Sequence, residues 1–357
     1  MNNRPLRIGV AGVGFGAAVH IPAFQSEGVE VVAVCTRRPE RAEEAAQKFG
    51  IPNTFTDYDA MLAMDGLDAV SIVTPAGLHH EMVMKAVAAK KHIICEKPFA
   101  LNGAEAKEMF DAAQASGLTA VIAHEFRYSS GRSAAKELID QGYIGNLRFC
   151  LMKLLLGAPP ANSNQQPRPV ALGGGMLFAL GSHYIDCLRD WFGEVESVSG
   201  ELSNQAQGLP RDEVITSFND DTFTFTLNFA KGGFAQMTAS RAGLFPSASS
   251  VEIYGDAGTL SAPQSGPNPP AHGTLQGAKL GDAGRQDLEV PARLGPIVDE
   301  RDERLPPFRL QVRDFLKGIE SGTSPAPNFY DGWRNQQVLD AVRESAKTGQ
   351  RVAIDLA

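Results

Sequence analysis

The sequence has few cysteines and no long apolar segment. Its four cysteines are spread over 357 residues without the close pairs typical of metal or redox sites, so we predict no bound metal. No apolar run approaches the length that spans a membrane, and the first residues lack the uninterrupted apolar core of a signal peptide. We therefore expect a cytoplasmic protein with no membrane partner, whose cysteines are small buried apolar side chains.

The charge of the chain is not specialised for a polyanionic partner either. It has 33 Lys and Arg residues against 41 Asp and Glu residues, for a net charge of −8. A nucleic-acid footprint needs a surplus of basic residues, so this balance argues against a nucleic-acid partner. The length is too great for one compact core and suits two domains, each with a core of its own.

The N-terminal residues predict a strand, a tight turn and a helix. An apolar run precedes residues 12–17, and a helical apolar pattern follows them. In a dinucleotide-binding turn the first glycine permits the bend, the second lets the backbone approach a pyrophosphate, and a small third residue lets the helix pack on the strand. Gly12, Gly14 and Ala17 occupy these positions, with Phe15 between them. Taken alone, the motif is equally compatible with a purely structural glycine turn.

The residues after the second predicted strand indicate which dinucleotide is bound. An Asp or Glu about 20 residues beyond the glycines would bind the free ribose 2′-hydroxyl of NAD. Here the strand is followed by Thr36, Arg37 and Arg38, and two guanidinium groups with a hydroxyl suit a 2′-phosphate. We therefore predict NADP as the cofactor, with NAD as the second choice. The alternative is that both arginines are solvated charges at the start of a helix.

Strands and helices continue to alternate up to residue 123, which predicts a doubly wound parallel sheet over residues 1–123. Ligands of such sheets bind at the carboxyl ends of the strands. Two more strand ends carry polar turns there, so we predict that these turns also contact the cofactor. Their candidate residues are Thr74, Pro75, His79, Glu96 and Lys97.

From residue 124 onward the pattern changes to strand-like runs with short connections. We predict a second domain over residues 124–357, an α+β domain with a large, open and mainly antiparallel sheet, whose C-terminal helices are able to pack on the first domain. The stretches 157–172 and 261–300 are rich in Gly and Pro and are predicted as loops. The longer one is a candidate cover for a site or an interface.

The ordered set of motifs resembles the Gfo/Idh/MocA oxidoreductase family over nearly the whole chain. The motifs are Gly12-x-Gly14-x-x-Ala17-x-x-His20, Thr74-Pro75-x-x-x-His79, Glu96-Lys97-Pro98, Gly173-Gly174-Gly175, Gly181-x-His183-x-x-Asp186 and Tyr330-Asp331-Gly332. The resemblance implies a Rossmann domain joined to an α/β domain whose open sheet forms a homo-oligomer, a dimer or a tetramer. It also implies a sugar or polyol substrate that is oxidised or reduced with NAD(P), and a cis Lys97–Pro98 bond.

Carried over by this resemblance, the catalytic residues are Lys97 and His183. Oxidation of an alcohol needs a base that removes the hydroxyl proton as hydride leaves the carbon, and a partly buried lysine or a histidine can serve. We predict that the two residues share proton transfer and substrate binding, and either one is able to be the base. Arg127 and Tyr128 either bind substrate hydroxyls or brace the domains.

The sequence departs from the family at two positions. Ala179 stands where inositol-dehydrogenase-like members have an Asp, four residues before the histidine, so a carboxylate one helical turn from His183 is missing. His183 then acts without that carboxylate, acts with a substitute such as Glu125, or only binds substrate. Ala76 replaces an Asn that often follows Thr-Pro, which affects the predicted cofactor contacts.

Two other classes of function stay open on the sequence alone. One is a lyase or glycosidase-like enzyme that retains its nicotinamide and uses a transient oxidation to acidify a neighbouring C–H bond. This class stays open because the Asp that family members carry is replaced by Ala179. The other is a non-catalytic NADP-binding regulator, which ranks lower because the Glu96-Lys97-Pro98 motif is complete.

Overall fold

The chain divides into two compact units in a computed structural model that describes residues 4–157, 174–217, 219–264, 275–294, 297 and 299–356. The first unit comprises residues 1–125 and 298–336, and the second comprises residues 126–297 and 337–357. The first unit thus includes a segment that follows most of the second in sequence. The assignment of residues 1–123 to cofactor binding and 124–357 to substrate binding stays a prediction.

The first unit is built on a six-stranded sheet in the order β3-β2-β1-β4-β5-β6. Its strands are β1 (Arg7–Ala11), β2 (Glu30–Cys35), β3 (Asn53–Phe55), β4 (Ala69–Ile72), β5 (His92–Cys95) and β6 (Ala120–Ile122). Every neighbouring pair is parallel, as the sequence predicted. All residues of β4 are buried, as expected when helices cover both faces of a parallel sheet. The strand order reverses between β1 and β4, which is where such sheets bind ligands.

Helices cover this sheet, and their ends follow local sequence signals. They are a π-helical turn (Gly16–His20) that continues into α1 (Ile21–Ser26), then α2 (Pro39–Phe49), α3 (Tyr58–Leu62), α4 (His79–Ala88) and α5 (Gly103–Ser116). The Asp57 carboxylate accepts a hydrogen bond from the Asp59 N–H at 2.8 Å, and the Asn102 side chain accepts one from the Glu105 N–H at 3.0 Å. The sequence predicts Asp57 and Asn102 as N-caps because each stands just before a helical pattern, and both are confirmed, since each satisfies an N–H group that the helix leaves unpaired.

The second unit is built on a nine-stranded sheet in the order β14-β13-β12-β11-β7-β10-β9-β8-β15. Its strands are β7 (Leu147–Gly157), β8 (Val195–Ser203), β9 (Thr222–Phe229), β10 (Phe234–Gly243), β11 (Ser249–Gly255), β12 (Gly258–Gln264), β13 (Leu275–Lys279), β14 (Gln286–Leu288) and β15 (Val352–Ala353). Only the β7–β10 pair is parallel among the pairs described, which confirms a mainly antiparallel sheet. Buried and half-buried residues alternate along β9, so one face of the sheet packs on the core.

The remaining helices fall in both units. They are α6 (Ser130–Asp140), a π-helical turn (Leu177–Gly181) that continues into α7 (Ser182–Phe192), α8 (Arg211–Ser217), α9 (Leu305–Ser321) and α10 (Phe329–Thr348). In the first unit α9 packs beside α1, with the Phe308 and Phe24 ring centroids 6.1 Å apart. The Gln311 amide of α9 donates a hydrogen bond to the Ile122 carbonyl at 2.6 Å. This late segment therefore covers the edge of the sheet at β6.

The prediction of one long loop over residues 261–300 is wrong. The described part of this stretch contains the end of β12, then β13, β14 and a 3-10 turn at Ala292–Leu294. Leu275 of β13 is buried in the core of the second unit, and Gly277 lies so close to the Leu288 side chain that a Cβ atom would be 2.7 Å from it. Glycine in this strand therefore permits close packing. Residues 265–274, 295–296 and 298 lie outside the described residues, as do residues 158–172 of the other predicted loop.

Three further properties of the described residues concern the cysteines, membrane spans and metal ligands. All four cysteines are free and buried, which confirms their interpretation as small apolar side chains. Every helix in the described part of the chain is too short or too polar to cross a membrane. The same residues contain no cluster of three or more His, Cys, Asp or Glu side chains that could hold a metal ion.

Candidate active site

The carboxyl ends of neighbouring strands in the first unit bring the predicted cofactor turns together. Backbone hydrogen bonds connect these ends in a row. They run from Gly12 N–H to the Cys35 carbonyl (2.9 Å), Val73 N–H to the Ala11 carbonyl (2.7 Å), Glu96 N–H to the Ile72 carbonyl (2.9 Å) and Ala123 N–H to the Cys95 carbonyl (2.8 Å). The turns that contain Gly12, Thr74 and Lys97 therefore lie side by side at one edge of the sheet.

The two motif glycines have different structural roles. Gly12 has a φ of +104°, and a Cβ atom there would be 2.3 Å from the Val73 carbonyl oxygen. Gly14 has no heavy atom within 4 Å of the position of a Cβ, so its face is open. The π-helical turn Gly16–His20 begins just after it, and the first N–H groups of such a turn have no partner within the helix. A tight bend, an open glycine and a helix N-terminus together fit the pyrophosphate of a dinucleotide.

The predicted 2′-phosphate residues follow β2 at the same edge of the sheet. The Thr36 N–H donates a hydrogen bond to the Phe55 carbonyl at 3.1 Å, which fixes the start of this segment. Arg37 and Arg38 are exposed, and neither guanidinium group has a hydrogen bond or an ion pair with any described residue. Two exposed guanidinium groups that pair with no described carboxylate are able to bind a phosphate.

His20 joins the glycine motif to the Glu96-Lys97 turn. Its Nδ1 atom lies 2.8 Å from the Ser71 hydroxyl and its Nε2 atom lies 2.9 Å from a Glu96 carboxylate oxygen, all of them buried. Burial alone would raise the pKa of Glu96, but the hydrogen bond from His20 and the charges of His20 and Lys97 outweigh it, so the pKa is lowered. Sequence analysis named His20 only as part of the glycine motif and did not foresee this link.

His79 joins the two cofactor turns from inside the fold. Its Nε2 atom is 2.8 Å from the Thr74 carbonyl oxygen, and its Nδ1 atom is 3.1 Å from the Pro98 carbonyl oxygen. The ring is fully buried, and burial lowers the pKa of His79, although the surrounding carbonyl groups and Glu96 act in the opposite direction. His79 therefore holds the Thr74-Pro75 turn against the turn after Lys97. A contact between His79 and the cofactor stays a prediction.

Lys97 projects from the turn that these contacts hold. It is half-buried, and its backbone N–H donates a hydrogen bond to the Glu96 carboxylate at 3.1 Å. The Lys97–Pro98 peptide bond is cis, as the family resemblance implied. One strand further along, the buried carboxyl group of Glu125 follows β6. Because β5 lies between β4 and β6, the turn that contains Lys97 lies between the turn after β4 and the segment that contains Glu125.

The other predicted catalytic residue belongs to the second unit. His183 is buried in α7, and its ring stacks on Phe126 with centroids 3.9 Å apart and planes 11° apart. Arg127 forms a bidentate ion pair with Asp186, at 2.5 and 2.7 Å, and also contacts Asp190 at 3.3 Å. This ion pair therefore holds the segment before α6 against the face of α7 that carries His183. The substrate-binding roles of Arg127, the half-buried Tyr128 and His183 stay predictions.

The helix that carries His183 begins differently from the sequence-based expectation. Ala179 lies in the π-helical turn Leu177–Gly181, so four residues do not correspond to one α-helical turn here. The buried Asp220 holds the start of this segment, because its carboxylate accepts a hydrogen bond from the Leu177 N–H at 2.7 Å. Burial raises the pKa of Asp220 to about 7. Of the predicted triple-glycine motif that precedes this turn, Gly173 lies outside the described residues.

A parallel sheet with this strand order and an open glycine turn at its switch point define a dinucleotide-binding Rossmann domain. A family model described as an oxidoreductase family with an NAD-binding Rossmann fold matches residues 6–124. A second model, described as the C-terminal alpha/beta domain of an oxidoreductase family, matches residues 136–354. The chain belongs to the Gfo/Idh/MocA oxidoreductase family.

Individual relatives match over nearly the whole chain. The levoglucosan dehydrogenase of Pseudarthrobacter phenanthrenivorans is 28% identical, with 96% of each chain covered. The D-xylose 1-dehydrogenase (NADP(+)) 2 of Haloferax volcanii is 26% identical, with 98% of each chain covered. A solved structure of levoglucosan dehydrogenase in complex with NADH and levoglucosan has a TM-score of 0.86 at 27% identity, covering 98% of this chain and 99% of that one. The present chain is an NAD(P)-dependent oxidoreductase, as the sequence predicted.

Proposed function

We propose that this protein transfers hydride between a nicotinamide cofactor, preferably NADP, and a carbinol or carbonyl carbon of a sugar or polyol. The observation that carries this proposal is the position of Lys97, at the strand end beside the crevice marked by Gly12 and Thr74. A side-chain amine there is able to exchange a proton with a substrate hydroxyl while the bound cofactor accepts or donates hydride. The names of both relatives specify a sugar as substrate, which supports the substrate class.

Each predicted residue has a proposed role. Lys97 and His183 take part in proton transfer and in binding substrate hydroxyls, and Arg127 and Tyr128 are further substrate contacts. The cofactor is held by the residues at the carboxyl edge of the first sheet. These are Gly12, Gly14, Phe15 and Ala17 at the pyrophosphate, Thr36, Arg37 and Arg38 at the 2′-phosphate, and Thr74, Pro75, His79, Glu96 and Lys97 nearer the reacting carbon.

A substrate screen tests the proposal. The protein is incubated with NADP or NAD and a panel of sugars, anhydrosugars and polyols, and reduced nicotinamide is followed by its absorbance. We expect turnover of at least one compound with one reduced cofactor formed per oxidised product. A panel in which no compound is oxidised, with the matching ketones and lactones not reduced either, would contradict the proposal.

A lyase or glycosidase-like reaction with a retained nicotinamide is the second candidate. The observation that favours it is Ala179, which removes a carboxylate that family members use beside the catalytic histidine. Such an enzyme converts substrate without net change in the cofactor, so product analysis alongside absorbance separates the two candidates. A non-catalytic NADP-binding regulator would bind the cofactor and leave every compound of the panel unchanged.

The cofactor preference depends on Arg37 and Arg38. We expect wild-type protein to bind NADPH about 10- to 100-fold more tightly than NADH, because a hydrogen bond to a charged group contributes about 1.5–3 kcal/mol. Changing both residues to alanine is expected to remove that difference and to leave NADH affinity within about threefold. Fluorescence titration with both nucleotides measures the two dissociation constants.

Arg41→Ala is the matched control for this experiment. Arg41 is an exposed arginine of α2 that pairs with Glu44 at 3.7 Å, so its removal takes one positive charge from the same region but leaves the proposed phosphate contacts in place. We expect its nucleotide preference to equal that of the wild type. A wild-type preference for NADH would overturn the proposed roles of Arg37 and Arg38.

We propose that the protein forms a homo-oligomer, a dimer or a tetramer, through the outer face of the nine-stranded sheet. Phe234, Phe149 and Tyr254 form a row across β10, β7 and β11 on this face, with centroids 6.0 and 4.6 Å apart. Leu151 beside them is 40% exposed. A contiguous apolar patch of this kind is typical of protein interfaces.

Sedimentation velocity tests this interface. We expect wild-type protein to sediment with at least twice the mass of one chain, and the double variant Leu151→Glu/Phe234→Glu to sediment as a monomer, because charges inserted into an apolar interface are left unpaired. Leu280→Glu is the control, since Leu280 is also an exposed leucine but lies outside the strands of the sheet. A monomeric wild type would refute the proposal.

A further inference from the structure

Glu125 lies at the carboxyl end of β6, beside the strand that leads to Lys97. β5 and β6 pair in parallel, and the Ala123 N–H donates a hydrogen bond to the Cys95 carbonyl at 2.8 Å. The residues just beyond these two strand ends therefore occupy neighbouring positions at the edge of the sheet. Glu125 is the first residue of a 3-10 turn and is only 4% exposed. The roles given under the proposed function do not use this buried carboxyl group, which the sequence suggested only as a substitute for the carboxylate missing at Ala179.

The charged groups that act on Glu125 come from two neighbouring elements. Glu96 and Lys97 belong to the turn after β5, and Arg304 is the N-cap residue of α9. Burial raises the pKa of Glu125 to about 8, the charge of Glu96 acts in the same direction, and Lys97 and Arg304 act in the opposite direction. The Glu125 carboxyl group thus gains and loses its proton close to neutral pH, where a group that exchanges protons in catalysis is most effective.

We propose that Glu125 accepts the proton that Lys97 removes from the substrate hydroxyl, which rests on the proposed hydride-transfer function. In oxidation the C–H and O–H bonds of the carbinol break and a carbonyl double bond forms. The hydride, with its electron pair, passes to the oxidised nicotinamide, and the proton passes to the Lys97 amine. The resulting ammonium group gives a proton to the Glu125 carboxylate and becomes a neutral amine again. In reduction the same proton travels from Glu125 through Lys97 to the new hydroxyl.

This assignment gives the site a carboxylate that the sequence lacks at position 179. Glu125 acts through Lys97 and needs no contact with the substrate. Its carboxyl group is buried, so its proton exchanges with a close partner in preference to bulk water. Loss of Glu125 should therefore change the pH dependence of the reaction more than it changes substrate binding.

The first test does not depend on a substrate. Protein labelled with ¹³C at glutamate carboxyl groups is titrated by NMR, and the Glu125 signal is assigned with Glu125→Gln. We expect a midpoint near pH 8 in the wild type and a higher midpoint in Lys97→Met, because the positive charge of Lys97 lowers the pKa of Glu125. A wild-type midpoint below pH 6, or an unchanged midpoint in Lys97→Met, would overturn the proposed coupling.

The second test is the pH profile of oxidation for the wild type, Glu125→Gln and the control Glu320→Gln. Glu320 is an exposed glutamate of α9, so its change removes the same charge from the same unit. We expect Glu125→Gln to lower kcat about 10- to 100-fold and to change KM less than about threefold. Its pH profile should lose the change in rate near pH 8, and Glu320→Gln should behave like the wild type. A Glu125→Gln profile of wild-type shape and rate overturns the inference alone, whereas a wild type without any turnover overturns the proposed function as well. If Glu125→Gln does not fold, Glu125→Asp, which also removes the glutamate carboxyl signal, serves for the assignment, and the titrations of the wild type and Lys97→Met test the inference.

Discussion

Replacing Lys97 with alanine is expected to lower kcat for sugar oxidation by about 100- to 10,000-fold, the range that a positioned acid or base contributes. The fold should survive, because the turn is held by the His20–Glu96 contact and by the His79 ring, which do not involve the Lys97 side chain. NADPH binding should weaken less than about tenfold, since the arginines and the glycine turn supply most of its proposed contacts. Steady-state kinetics and a nucleotide titration measure the two effects separately.

Two further variants make this result interpretable. Lys97→Arg keeps the positive charge, but a guanidinium group does not release its proton at any usable pH. We therefore expect it to be almost as slow as Lys97→Ala, whereas a recovery of activity would mean that Lys97 only supplies charge. Lys317→Ala, which removes an exposed lysine of α9, should behave like the wild type. A Lys97→Ala rate close to that of the wild type would refute the assignment.

Replacing Gly12 with alanine is expected to destabilise the first unit by about 3–5 kcal/mol. The residue has a φ of +104°, which L-residues with a Cβ rarely adopt, and that strain alone costs on the order of 1–3 kcal/mol. The added Cβ would also lie 2.3 Å from the carbonyl oxygen of Val73, a backbone atom that cannot move without disturbing β4. Thermal and urea unfolding, followed by circular dichroism, measure the loss of stability.

Gly14→Ala is the matched variant, because the same added methyl group would meet no heavy atom within 4 Å. We expect it to unfold like the wild type but to bind NADPH at least about tenfold more weakly, since the Cβ takes the space through which the pyrophosphate approaches the backbone. The pair separates a glycine needed by the fold from one needed by the ligand. Tight NADPH binding by Gly14→Ala, or wild-type stability of Gly12→Ala, would contradict this distinction.

The features predicted correctly from the sequence depend on short stretches of chain. The caps at Asp57 and Asn102 follow from one residue type three positions or fewer from the N–H group it binds. The parallel sheet follows from the alternation of apolar strands and amphipathic helices up to residue 123. Such features can be predicted from the sequence because the interacting groups are close together in it.

The features that were missed depend on what packs against a segment. The strands β13 and β14 lie in a stretch rich in Gly and Pro, and only pairing with β12 and burial of Leu275 make them strands. The helix α8 is too short to show a clear period. The π-helical turn before His183 has no sequence signature, so the spacing from Ala179 was interpreted as an α-helical turn.

The candidate site shows the same division between local and distant information. The sequence, with the family resemblance, predicted a dinucleotide turn at Gly12 and Gly14 and placed Lys97 after a neighbouring strand, because each motif is contiguous. The surroundings of Lys97 depend on the tertiary structure: His20 lies 76 residues from its partner Glu96, and Arg304 acts on Glu125 from about half the chain away. The ionisation of a buried group depends on desolvation and on charges that folding brings near it. No pattern in the sequence reports these distances, so the position of Lys97 was predictable and the charges that act on Glu125 were not.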